Sequence, residues 1–190
     1  MKTPFGIGVA FAALSLLGLA GCGSEEPVSE ADKGIFLRAA DLARYGFQYE
    51  NANSYETFSK ARQLDGTYKL TYRFRTPPGE RPPLHIYANV AVAHSESDAA
   101  LLENAEKAGV MIGFTGSGLE EREVPMQPGD EGSRLRVLLK GGKPVGNVFT
   151  VRDGRKTYLL MLVGVSFQDA RDWKRVIEPK LQRFAGYSPV

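Results

Sequence analysis

The chain has 190 residues, with 24 Lys and Arg against 22 Asp and Glu, for a net charge of +2. That length suits one domain with a real core, and the 43% apolar and 24% charged fractions are ordinary for a globular protein. The near-neutral balance argues against a dedicated nucleic-acid binder, which needs a strongly basic patch, and a single cysteine, Cys22, excludes an internal disulfide.

The chain opens with Lys2, and then 5–19 is apolar apart from Ser15 and small glycines. A basic start, a short apolar segment and small residues at a cut site describe a secretory signal peptide. The apolar run is too short for a comfortable transmembrane helix, which needs about 20 residues. It ends in Leu19, Ala20, Gly21 and Cys22. This stretch resembles the lipobox of bacterial lipoproteins. The resemblance implies that 1–21 is removed, that the Cys22 thiol carries a diacylglyceryl group and that the new amino terminus is acylated. A lone cysteine in an oxidising compartment is a liability unless it is consumed, which supports that reading. Two or three acyl chains hold a protein firmly at a bilayer where one holds weakly. Gly23 follows the cysteine, whereas in the enterobacterial sorting rule an Asp there retains a lipoprotein at the inner membrane. By that analogy the protein is expected at the outer membrane, facing the periplasm.

Residues 23–30 are polar and acidic without periodicity, and with Cys22 the segment 22–30 reads as a lipidated, flexible tether. Eight such residues reach roughly 15 Å. Within 31–190, read as one domain, 31–45 has helical apolar spacing at Ile35, Phe36, Ala39, Leu42 and Ala43, with Gly46 as a stop. The mixed stretch 51–66 reads as loop or a short helical turn. Residues 67–75 alternate strictly, with Tyr68, Leu70, Tyr72 and Phe74 on one side and Lys69, Thr71, Arg73 and Arg75 on the other, as a half-exposed strand does. After the proline-rich loop 76–83, 84–93 is a second strand, largely apolar on both faces. Ser95 or Ser97 caps a helix over 99–108, and 110–114 reads as a short strand. The breakers Gly116, Gly118, Pro125, Pro128, Gly129 and Gly132 make 115–133 the longest loop, and loops of this length are often functional.

The last third reads as three strands, 134–140, 146–152 and 155–165. They are joined by a turn at Gly141-Gly142-Lys143-Pro144 and by Asp153-Gly154, a strong hairpin signal. A closing amphipathic helix spans 169–184, with Trp173, Val176, Ile177, Leu181 and Phe184 on one stripe and Pro179 expected to kink it. Tight hairpins make the sheet antiparallel. Strands apolar on both faces need cover on both sides. The expected fold is therefore α/β of the α+β type: an antiparallel sheet of about five strands covered by helices on both faces. This layout resembles the PsbP/Mog1-like sandwich domains, which implies binding and assembly roles.

No catalytic set emerges. Gly116-Ser117-Gly118 is too short for a nucleophile elbow. The glycine-rich turn at 141–146 lies between strands, whereas a phosphate cradle needs a helix amino terminus. His85 and His94 sit at opposite ends of one strand, roughly 30 Å apart on opposite faces, so they cannot share a metal. His94 and Glu96 are better explained by a strand end and a helix first turn. No cofactor or metal is expected. Arg73 and Arg75 share a face of their strand, as do Arg134 and Arg136 of theirs. If the two strands were neighbours they would form a positive surface for anionic headgroups or an acidic partner. Trp173 is either core or, at a groove edge, a stacking surface. These five residues are the candidate binding residues. Three functions follow, in order: a non-enzymatic envelope lipoprotein that binds or helps assemble a protein partner; a carrier or sensor of a small apolar ligand such as a lipid; and a hydrolase using scattered carboxylates.

Overall fold

A computed structural model of the chain describes residues 24–45, 54–77, 79, 83–114, 118–126 and 132–189. The elements in chain order are β1 (Ser24–Glu26), α1 (Glu30–Gly34), a 3-10 segment (Ala39–Tyr45), β2 (Tyr55–Arg62), β3 (Tyr68–Arg75), β4 (His85–Val92), α2 (Glu96–Phe114), β5 (Leu119–Val124), β6 (Ser133–Lys140), β7 (Lys143–Asp153), β8 (Lys156–Val163) and α3 (Ala170–Ala185). All strands join one antiparallel 8-stranded sheet in the order β1-β2-β3-β4-β8-β7-β6-β5.

This corrects the five-strand sandwich. Five of the expected strands are present as the contiguous centre of the sheet, β3-β4-β8-β7-β6. The three that sequence reading missed are the outer ones, β1, β2 and β5. Their sequences are polar, SEE, YETFSKAR and LEEREV: the edge strands β1 and β5 carry charge that blocks further pairing, and β2 places Glu56 and Lys60 at core-facing positions. Helical cover is thin. One face, here the core face, carries α1, the 3-10 segment and α3. On the opposite face α2 packs on β7 and β8.

The core face holds the main apolar cluster. Leu70, Tyr72 and Phe74 of β3, Ile86, Ala88 and Val90 of β4, and Tyr158, Leu160 and Leu162 of β8 meet Trp173, Val176, Ile177 and Phe184 of α3. The tyrosines also supply hydrogen bonds. Tyr158 Oη accepts from Leu37 N at 3.3 Å. Tyr72 Oη accepts from Ala39 N at 3.2 Å and donates to Glu56 at 3.1 Å. These bonds divert backbone donors that a continuous helix would use, so the expected helix over 31–45 is split into α1 and the 3-10 segment. Asn147 of β7 pins the entry to α3: its Nδ2 donates to Phe167 O at 2.8 Å and its Oδ1 accepts from Phe167 N at 2.7 Å.

Other expectations are corrected locally. The loop reading of 51–66 gives way to β2, and that of 115–133 to β5 and the start of β6. Residues 110–114 extend α2 rather than forming a strand. α3 runs through Pro179, whose side chain is exposed. The turn at Gly141 and Gly142 has positive φ at both positions (55° and 73°), which glycine alone adopts without cost. The segment read as a tether is folded from Ser24 onward. β1 pairs with β2, and Ser29 caps α1 in a reciprocal box with Asp32.

Candidate functional site

The opposite face of β2, β3 and β4 follows from the pairing register. Tyr55, Arg75 and His85 lie side by side, as do Thr57, Arg73 and Tyr87, then Ser59, Thr71 and Asn89, then Ala61, Lys69 and Ala91. Directly opposed residues in antiparallel strands share a face. The wing therefore gathers Lys69, Arg73, Arg75 and His85 with two tyrosines and several hydroxyls, and not one acidic residue. Arg73 and Arg75 are exposed, and Tyr55 is 50% exposed. Like charges on adjacent positions of one face do not favour folding, so the wing is not explained by stability.

Both arginines are held against rings. The Arg73 guanidinium lies 5.7 Å from the Tyr87 ring centre and that of Arg75 lies 5.2 Å from Tyr55. A guanidinium held over a ring by this attraction keeps N–H donors that can bind oxygen acids. Among the described residues, neither arginine is ion-paired to a carboxylate. Burial, and then the Arg75 charge, push His85 below the ordinary histidine range, so at neutral pH His85 adds a neutral ring beside Arg75.

One carboxylate borders the wing from α2. Asn89 Nδ2 donates to Glu106 Oε1, and Thr71 Oγ1 donates to Asn89 Oδ1 at 3.3 Å. Burial raises the Glu106 carboxyl from 4.5 to about 7 against the opposing pull of the Asn89 hydrogen bond and Lys69, with Glu103 adding to the rise. Burial, with Glu106 beside it, likewise raises the Tyr87 phenol.

The other expected binding residues lie elsewhere. Arg134 and Arg136 of β6 share this face of the sheet, but β4, β8 and β7 separate β6 from β3, a span of roughly 19 Å at normal strand spacing. The expected four-arginine surface is therefore not formed. Arg136 pairs with Glu121 of β5 at 2.5 Å. Trp173 is 0% exposed and packs on Phe149 and Phe167, with ring centres 5.2 and 5.5 Å away. It is core, and the stacking role is excluded. Cys22 lies outside the described residues. Tyr55 and Tyr87 were not singled out by sequence, Lys69 was placed on the face of Arg73 and Arg75 without a role, and His85 was weighed only as a metal ligand. The alternation that places Tyr55 opposite Arg75 was hidden because Glu56 and Lys60 take the core-facing positions of β2 where apolar residues were sought.

A second polar cluster holds the N-terminal elements. Lys60 Nζ lies 3.6 Å from Asp32 and 3.8 Å from Glu26, Arg62 is 3.8 Å from Glu26, and Tyr187 Oη donates to Asp32 at 3.0 Å. Burial tends to raise the Asp32 carboxyl. The Ser29 and Tyr187 hydrogen bonds and Lys60 outweigh it, leaving the group below the usual carboxylate range. The cluster clasps β1 and α1 to β2. Among the described residues, no group of three potential ligands could hold a metal, and no helix is long and apolar enough to cross a membrane.

No family model matches the chain, and no solved structure matches it. A stretch of 77 residues, 40% of the chain, is 36% identical to the lipid-A-disaccharide synthases of Burkholderia mallei (strains SAVP1 and NCTC 10229) and Burkholderia pseudomallei (strain 1710b). The match covers 19% of those proteins, so the chain spans about a fifth of the length of the curated relatives it matches.

Proposed function

We propose that the chain is an envelope lipoprotein, anchored through acylated Cys22 at the outer membrane, that binds or helps assemble a protein partner without catalysing a reaction. The partner presents an acidic surface to the β2–β4 wing. The observation that carries this reading is the wing itself: Lys69, Arg73 and Arg75 with Tyr55 and Tyr87 and no acidic residue among them. Aromatic and arginine side chains are the usual anchors of protein interfaces. A carrier of small apolar ligands is less well supported, since it needs a cavity between sheet and helix. That space is filled by Trp173, Tyr72, Tyr158, Phe36, Phe149 and Phe184, all fully buried. Disaccharide synthesis is not carried over from a match to a fifth of another protein.

The test places a photo-crosslinking residue at Thr57, directly opposite Arg73 on the wing, in the native host. One discrete adduct is expected, lost when Arg73→Glu and Arg75→Glu are combined and retained with Arg134→Glu. An adduct indifferent to the double reversal in a folded domain overturns the reading.

A further inference from the structure

Several features of one end of the sheet converge. The chain enters β1 at Ser24, which lies opposite Arg62, the last residue of β2. Beyond Arg62 the chain turns through residues 63–67, closed by Gln63 N donating to Thr67 O at 2.8 Å and Gly66 N to Gln63 O at 3.0 Å. The first residue of β1 and the tip of the β2–β3 hairpin therefore project from the same end. Leu64 at that tip is 81% exposed, the most exposed large apolar side chain among the described residues.

Ser24 is two residues from Cys22, and two residues span at most about 7 Å. One strand spacing and two further residues reach Leu64, so its backbone lies at most roughly 20 Å from the acyl-bearing residue. The clasp of Lys60 and Arg62 on Glu26, and of Lys60 on Asp32, holds β1 to the domain. The reach of a flexible eight-residue tether is thus removed. A lipid on Cys22 brings this end, and no other, to the bilayer. Charges there are mixed: Arg62, His94, Arg155 and Lys156 against Glu25, Asp65 and Asp153. The contact therefore does not depend on anionic lipid.

We infer that the domain stands end-on at the membrane, with the β2–β3 hairpin tip in the interfacial region of the lipid and Leu64 entering it. This rests on the anchoring reading of Cys22 and adds an orientation. The strands then run away from the bilayer and the β2–β4 wing faces sideways, open to a partner in the same membrane or beside it.

The sole cysteine is consumed by acylation in this reading, so a new cysteine is a unique labelling site. Full-length chains with Gln63→Cys at the tip, or Lys143→Cys at the opposite end of the sheet, are isolated from membranes. Their acyl mass is checked, and they are labelled with an environment-sensitive dye and reconstituted into phosphatidylcholine vesicles containing nitroxide lipids. At position 63 at least about half the emission should be quenched, independent of salt, and at position 143 none. Adding Leu64→Asp to the tip-labelled chain should reduce quenching several-fold. Acylated chains with equal, water-like emission at both positions overturn the orientation and leave the anchor standing. Chains without acyl mass overturn the anchor and the orientation together.

Discussion

Glu106 makes the stability of the fold depend on pH in a direction opposite to that of most carboxylates. Its carboxyl titrates at about 7 in the folded chain against 4.5 for an ordinary glutamate, chiefly through burial between α2 and the sheet. The folded state therefore holds this proton more tightly than the unfolded chain. The resulting stabilisation is fully present below pH 4.5 and is lost as pH rises through about 7. The difference between 7 and 4.5 corresponds to a ceiling of about 3.5 kcal/mol, at about 1.4 kcal/mol per tenfold change in the proton equilibrium. Water reaching the half-buried group reduces it. His85 acts in the opposite sense: its value is lowered by burial and Arg75, so its contribution grows as pH rises through the ordinary histidine range. Comparing Glu106→Gln with the parent chain at each pH cancels the His85 term. The Gln side chain stands in for the protonated acid and still accepts from Asn89. Urea unfolding at about pH 5 and about pH 8, read by circular dichroism, gives the four stabilities needed. The parent should lose stability relative to the variant by about 1–3 kcal/mol between the two. An equal difference at both pH values would mean that Glu106 is ionised and solvated throughout, and would refute the packing of α2 described here.

Further outcomes follow from the core and the clasp. Trp173→Ala should cost about 3–5 kcal/mol, by urea midpoint. Trp173→Phe should cost less, because the indole Nε1 is buried without a hydrogen-bond partner among the described residues and its removal relieves that penalty. Gly146→Ala places a Cβ 2.1 Å from Leu162 O and should destabilise by about 1–3 kcal/mol. Gly142→Ala has open space and only its positive φ against it, and should cost about 1 kcal/mol. Lys60→Met removes the cation between Glu26 and Asp32. Hydrogen exchange of the β1 amides should then accelerate, with those of β4 unchanged. Because Asp32 titrates below its ordinary value in the fold, its contribution is present above pH 3.8 and lost as pH falls through the folded value. Asp32→Asn should abolish that acid-side loss.

The centre of the sheet was legible in the sequence and its margins were not, for one physical reason. β3 alternates cleanly because one face is core and the other solvent, and β7 and β8 carry a hairpin signal at Asp153 and Gly154. β2 has no such alternation, since its core-facing Glu56 and Lys60 are satisfied by Arg38, Tyr72, Asp32 and Glu26. Those partners come from elements distant in sequence. The apolar run at 110–114 suits strand or helix equally, and only its continuity with the capped start at Ser95 decides for helix. Of the candidate site, Arg73 and Arg75 were legible as a pair on one face. Their aromatic partners Tyr55 and Tyr87 depend on register, which no single-strand pattern contains. The separation of Arg134 and Arg136 depends on strand order, in which β8 inserts beside β4.

The claim on which the rest depends is the anchor. The intact mass of membrane-extracted protein, measured beside a Cys22→Ala variant, tests it most directly. The account predicts the mass of residues 22–190 plus acyl chains, and no such species from the variant. An uncut chain, or a cut chain without lipid, would contradict it and leave Cys22 a free thiol.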